Sequence, residues 1–384
     1  MRILIMTASY APVLGGLQTV TGQLAHGLQA LGHEVRVVTN RFPRTLPESE
    51  TIGGVPVQRK LFVWPRRAQW PRPHLWLESM WLHSGTLQWL CALVDEWQPD
   101  VINVHFPDGQ IPYLLHLREQ YTGRVVVSLH GDEVMRYFDR IPRVKATDLS
   151  ELLGMADAVT ACSRDLLQHA IQLAHTVQDK GSVIYNGVNI MPFAKATPYT
   201  HLRPYVFALG RLTRIKGFDL LLEAWAACQT KLGGLDLILA GDGEENESLK
   251  QQARELHLGE RVHFFGRATP EEVTALMRGS NFVVVPSRDE SFGIVAIEAL
   301  AAQTPLLATD VGGLREIVDM LPGTGGDQYP VKLIPVTREA LRGALIDFRH
   351  RTKKADQMRE YSAFVGAAFS WQQTISKYAQ VLQQ

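Results

Sequence analysis

Cysteine is nearly missing from this chain. Cys91, Cys162 and Cys228 are odd in number, far apart and form no C-x-x-C pair. A disulfide framework or a zinc site is therefore not expected, and a reducing compartment fits. No run of about 18 apolar residues occurs, which argues against a membrane-spanning helix. The opening MRILIM reads as a strand and lacks the long apolar stretch of a signal peptide. Neither sign of charge dominates, since 39 Lys and Arg face 39 Asp and Glu; without a basic surplus, nucleic acid is not expected as the main partner. Ligand motifs are missing too. The first strand is not followed by G-x-G-x-x-G, no P-loop occurs, and no Asp-x-Asp exists anywhere. These absences speak against a dinucleotide fingerprint and against the usual carboxylate pair for Mg²⁺ or Mn²⁺ on a diphosphate. No cofactor and no divalent metal is expected. The cytoplasm is the default location, with peripheral attachment to the inner face of a membrane left open.

What is present is a repeated order of strand and helix. RILIMTAS reads as a strand, GGLQTVTGQLAHGLQALGH as an amphipathic helix ended by Gly32, and EVRVVTN as the next strand. That order implies a right-handed crossover and a parallel sheet. VINVHF, RVVVSLH, AVTACS and SVIYNG continue it. Residues 189–204, with Pro192, Pro198 and Pro204 and little periodicity, read as a linker. The pattern then restarts with YVFALGR, DLILAGDG, VHFFGR, NFVVVPS and PLLATD, with helical stretches between them. The expected fold is α/β, with two Rossmann-like domains facing across a cleft. Residues 1–190 form the first, completed by a final helix at about 366–384, and residues 204–365 form the second. Ligands of such sheets bind at the carboxyl ends of the strands.

The motifs fall at those ends. In ALGRLTRIKGF, Arg211 ends a strand and Lys216 precedes a helix; two cations beside a helix N-terminus suit a phosphate pair, whereas the plain alternative is two surface cations. Gly15 and Gly16 precede the first helix, where a backbone can approach an anion closely or simply make a tight turn. His130, followed by Gly131, Asp132 and Glu133, suits a hydroxyl contact or a proton shuttle, or else a capping loop. Gly241 ends a later strand, and either a ligand approach or an ordinary turn fits it.

SRDESFGIVAIEAL holds two glutamates, Glu290 in a loop and Glu298 among apolar helical residues. Phe292, Gly293 and Ile294 bring the first helix amides between them, a place where a diphosphate fits. Glu298 needs donors, since a buried carboxylate without them costs several kcal/mol. A ribose diol, a buried arginine and a backbone amide all qualify; the remaining alternative is a helix less buried than it reads. Five tryptophans lie between Trp64 and Trp89, with Arg66, Arg67 and Arg72 among them. Segment 62–82 either touches a lipid surface or merely covers the first sheet.

Taken together, these residues resemble glycosyltransferase family 4, over nearly the whole chain. The resemblance rests on Glu290 to Glu298 as E-x7-E, GRLTRIKG as G-R-x-x-x-x-K-G, the Gly-Gly after the first strand, His130-Gly131, and IYNGV. It implies a GT-B fold and a retaining transfer of a hexose-type sugar, without metal, from a nucleotide sugar to a glycan, lipid or small-molecule hydroxyl. It also implies roles. Arg211 and Lys216 hold the donor diphosphate, Gly16 approaches it, Glu298 binds the ribose, Glu290 binds the transferred sugar, and His130 lies near the reacting face. A nucleotide-sugar epimerase or a non-catalytic nucleotide-sugar-binding homologue is the alternative. The chain departs from the family at Ala302-Gln303, where Cys-Gly is frequent, and at Asn189, where NGVD is usual.

Overall fold

Short aliphatic and β-branched runs build two sheets whose central strands are buried on both faces, as parallel strands covered by helices must be. The computed structural model describes residues 1–13, 15–63, 73–135, 146–323, 330–350 and 355–384. By its internal contacts the chain divides into two units, Met1–Tyr185 with Gln372–Gln384, and Asn186–Trp371.

The first unit contains β1 (Arg2–Thr7), β2 (Glu34–Asn40), β3 (Ser49–Ile52), β4 (Val55–Lys60), β5 (Val101–His105), β6 (Arg124–Leu129), β7 (Ala158–Ala161) and β8 (Gly181–Val183). They lie in the order β3-β4-β2-β1-β5-β6-β7-β8, and only the β3–β4 pair is antiparallel. That hairpin was not read from the sequence. Its turn is Gly53-Gly54, with φ of 55° and 86°, the left-handed pair that a two-residue hairpin turn favours. The core gathers Ile3, Ile5, Leu24, Leu28, Val37 and Val126 together with Tyr378 and Leu382 from the end of the chain.

The second unit contains β9 (Tyr205–Leu209), β10 (Asp236–Ala240), β11 (Val262–Gly266), β12 (Phe282–Val285), β13 (Leu306–Thr309) and β14 (Val331–Ile334). They are all parallel, in the order β11-β10-β9-β12-β13-β14.

Residues 189–204 are more than a linker. Asn189 accepts a hydrogen bond from Met191 N (3.1 Å) and caps a helix, Ile190–Lys195, so the departure from NGVD still supplies a helix cap. Pro192 is tolerated because the first turn needs no intrahelical N–H bond. Arg278 Nη1 donates to Phe193 O (2.8 Å) and Tyr199 N to Ala275 O (2.9 Å). The segment is thereby tied into the second unit, which begins at Asn186 rather than 204. At the other end, the helix Ala355–Ala368 belongs to the second unit. The last helix, Trp371–Gln383, returns to the first from Gln372 onward.

Candidate active site

In each sheet the order of strands reverses beside the unit's first strand, between β1 and β5 and between β9 and β12. A doubly wound sheet leaves a crevice at the carboxyl ends of the strands where this happens. Most of the residues picked out from the sequence lie at these two places.

In the second unit β9 runs through Gly210 into a loop carrying exposed Arg211 and a single turn, Arg214–Lys216. Gly217 follows with φ 68°, and a Cβ there would collide with Pro286 O. Glycine is what lets this loop lie against the one after β12. Arg288 completes the join. Its backbone amide donates to Ile215 O (2.7 Å), its Nη1 to Arg214 O (2.7 Å), and its guanidinium grips both oxygens of Asp219 at 2.6 and 2.7 Å. Burial alone would raise the Asp219 carboxyl, but the Arg288 bonds outweigh it and hold it below the usual range.

Two of the expected residues are thereby brought into direct contact. Lys216 Nζ donates to Glu290 Oε2 at 2.7 Å, and Ser287 Oγ donates to the same oxygen at 3.2 Å. Ser287, Arg288 and Asp219 were not foreseen, because nothing in the local pattern shows which loops meet.

The surrounding backbone is close-packed. At Gly241 (φ 137°) a Cβ would strike Gly210 O, so the loop after β10 lies against that after β9. Gly293 (φ 101°) caps the helix Ile294–Ala301, whose unpaired first N–H groups and partial positive charge follow directly on the Glu290 loop. Phe292 is buried with its ring edge-on to Phe369 at 5.8 Å, so what it can present to a ligand is backbone; Ile294 is half-buried. Glu298 lies in the second turn, also half-buried. No ion pair or side-chain hydrogen bond among the described residues reaches it, and desolvation lifts its carboxyl from 4.5 to about 7. A buried arginine partner is therefore not what the helix provides.

In the first unit Gly15 and Gly16 open the helix Gly16–Ala30 after β1. His130 follows directly on β6, and Asp132 begins a four-residue helix, Asp132–Met135. The buried Glu133 carboxylate accepts from the amides of His130 and Gly131, the second at 3.0 Å. Desolvation outweighs those bonds and raises Glu133 to about 7. His105, at the end of β5, places Nδ1 2.9 Å from His130 Nε2. It was not singled out from the sequence, although VINVHF puts two polar residues on one face of an otherwise apolar strand.

Two further groups bear on the expectations. His201, Asp236 and His263 bring possible metal-ligand atoms within 4.8 Å of one another. They sit at the amino end of β10, and Arg261 and Arg203 already hold the other Asp236 oxygen (3.1 and 3.6 Å). Two guanidinium charges on one carboxylate make this a poor cation site. Of the Trp- and Arg-rich segment 62–82, residues 64–72 lie outside the described residues, and Leu77, Met80 and Trp81 are exposed on the helix Pro73–Trp97. Among the described residues no helix is long and apolar enough to cross a membrane.

Comparison with known proteins identifies the family and the fold. The profile of Glycosyltransferase Family 4 matches residues 14–191, and that of Glycosyl transferases group 1 matches residues 195–363. An uncharacterised glycosyltransferase of Methanocaldococcus jannaschii is 29% identical over 83% of this chain and 83% of its own length. The glycogen synthase of Mycobacterium tuberculosis is 28% identical over 99% of this chain and 94% of that enzyme. Among solved structures, Anabaena HepE in complex with UDP and glucose superposes with a TM-score of 0.74 at 20% identity, covering 100% of this chain and 99% of that one. With both halves of the chain matched, the protein belongs to the glycosyltransferases of the family 4 and group 1 type and has their GT-B fold.

Proposed function

We propose that this glycosyltransferase moves a hexose-type sugar from a nucleoside diphosphate sugar to an acceptor hydroxyl, with retention at the anomeric carbon and without a metal ion. The observation that carries this reading is the Lys216–Glu290 contact at the reversal between β9 and β12, a cation and a carboxylate held 2.7 Å apart beside a helix N-terminus. Lys216, Arg211 and the amides leading into Ile294 receive the diphosphate. Glu290, already oriented by Lys216 and Ser287, takes the hydroxyls of the transferred sugar. Glu298, with no side-chain partner among the described residues, accepts from the ribose diol. Gly241 leaves room for the nucleotide, and Gly15, Gly16, His130 and Asp132 serve the sugar and the acceptor. The complex of HepE with UDP and glucose supports a nucleotide donor.

As the glycosidic bond breaks, negative charge grows on the leaving diphosphate and positive charge on the anomeric carbon. Fixed cations and amides stabilise the former, which is electrostatic catalysis and stands in for a metal. The leaving phosphate takes the acceptor's proton on the face it departs from, which gives retention without a protein nucleophile. A thermal-shift screen of nucleoside diphosphate sugars identifies the donor, because a ligand of the native state raises its melting temperature. With that donor, NMR of the product in EDTA is expected to show the donor's anomeric configuration at an undiminished rate. An inverted product, or activity abolished by EDTA and restored by Mg²⁺, would overturn the proposal.

A further inference from the structure

At the strand ends of the first unit a run of polar groups has a hydrogen-bond direction set by chemistry alone. Asn103 and His105 are fully buried and two apart on β5, so they share a face. Val126 O can only accept, so the Asn103 atom 3.2 Å from it is Nδ2, which also donates to Ser128 Oγ at 2.9 Å. The remaining amide atom, Oδ1, is 2.7 Å from His105 Nε2. An amide oxygen only accepts, so His105 Nε2 carries a hydrogen. Burial, with His130 adding to it, holds the His105 imidazole well below its usual range. The ring is neutral and its Nδ1 is a bare lone pair. That lone pair faces His130 Nε2 at 2.9 Å, which must therefore be the N–H. His130, pushed down to about 4 by desolvation, is neutral as well, and its one remaining nitrogen, Nδ1, has no proton.

We infer that Asn103 and His105 are positioning residues that fix His130 as a hydrogen-bond acceptor at Nδ1, so that the end of β6 recognises a substrate hydroxyl as donor and disfavours a group that can only accept. Glu133 holds the backbone of the same turn through the His130 and Gly131 amides, so ring and main chain are fixed from two sides. The inference rests on the transfer reading only in taking the bound substrate to bear a hydroxyl; the proton positions stand apart from it.

The experiment has two arms. Nitrogen-15 NMR of the histidine-labelled, deuterated chain, with His130 assigned by comparison with His130→Gln, is expected to show a proton on Nε2 and none on Nδ1. A nitrogen–nitrogen coupling across the hydrogen bond to His105 is also expected. In Asn103→Leu the acceptor for His105 Nε2 is lost. The run can then reverse, and a population of His130 with a proton on Nδ1 is expected. Asn103→Asp keeps the acceptor and keeps the wild-type tautomer. In the kinetic arm, Asn103→Leu and His105→Phe lower kcat about tenfold, the size expected for losing one hydrogen bond to the reacting substrate. They leave the affinity for the nucleoside diphosphate sugar within twofold, and Asn103→Asp restores most of the loss. A proton on His130 Nδ1 in the wild type overturns the inference whatever the protein's activity. So does a kcat unchanged in both His105→Phe and Asn103→Leu. If the transfer reading itself fails, no acceptor supports turnover while the NMR arm still gives its answer.

Discussion

Lys216 and Arg211 are expected to share one task at the donor diphosphate. Lys216 is half-buried and hydrogen-bonded at 2.7 Å to Glu290, and Arg211 is exposed. Removing one charge-stabilising donor costs about 2.7–4 kcal/mol, or roughly 10²–10³ in kcat. Steady-state kinetics of the Lys216→Ala and Arg211→Ala variants check the size of each loss. Glu290→Gln should weaken the sugar contact while leaving nucleoside diphosphate binding within a few-fold, measured by calorimetry. Glu298 gives a prediction of a different kind. Its native carboxyl titrates near 7 against an ordinary 4.5, so folding takes up a proton between those values and stability falls as pH climbs through them. Glu298→Gln should flatten that fall. The difference between its urea midpoints at pH 5 and pH 8 should be smaller than the wild type's. At pH 8 the free variant is expected to be the more stable protein yet the weaker binder of nucleoside diphosphates. Glu133 shifts in the same direction, so the comparison must be variant against wild type, not the absolute slope.

Strands and helices were largely legible because burial on both faces demands unbroken apolar runs, and β1, β5, β10 and β12 have them. The hairpin of β3 and β4 was missed since β3 is an edge strand with alternating exposure and no apolar run. Gly53-Gly54 was the available sign. The Arg288–Asp219 clamp was not legible at all, because its partners are 69 residues apart and only the strand order brings their loops together. Where the chain departs from its family at Gln303, the backbone gives a reason for the family's usual glycine. The helix Ile294–Ala301 closes with Thr304 N on Ala299 O (2.9 Å) and Gln303 N on Leu300 O (3.0 Å), and Gln303 sits at φ 55°. That is the left-handed position in which glycine avoids a Cβ penalty. Gln303→Gly should therefore raise stability by about 1 kcal/mol, read as an increase in the urea midpoint at unchanged m-value.

The chain leaves its first unit after Tyr185, builds the whole of the second, and returns at Gln372. The returning helix is a structural part of the first unit. Thr374 Oγ1 donates to Tyr185 O (2.9 Å), Arg124 Nε donates to Val381 O (3.2 Å), and Tyr378, Ala379 and Leu382 join the core around β1, β2 and β4. Burying each large apolar side chain contributes about 1.5–3 kcal/mol, so losing Tyr378 and Leu382 alone removes about 3–6 kcal/mol. That compares with about 5–15 kcal/mol for an entire domain. A chain ending at Trp371 should consequently lose hydrogen-exchange protection throughout β1, β2, β5 and β6 while keeping it in β9, β10 and β12. If Arg211, Lys216, Glu290 and Glu298 form the donor site within the second unit, that shortened chain still binds the nucleoside diphosphate but transfers nothing. The Tyr378 ring also lies 5.6 Å from His105, so the truncation removes a wall of the His105–His130 pair as well as the packing. Full protection in the first unit's strands would show that the returning helix is dispensable. Loss of nucleotide binding with the second unit still protected would show that the donor site needs residues from the first.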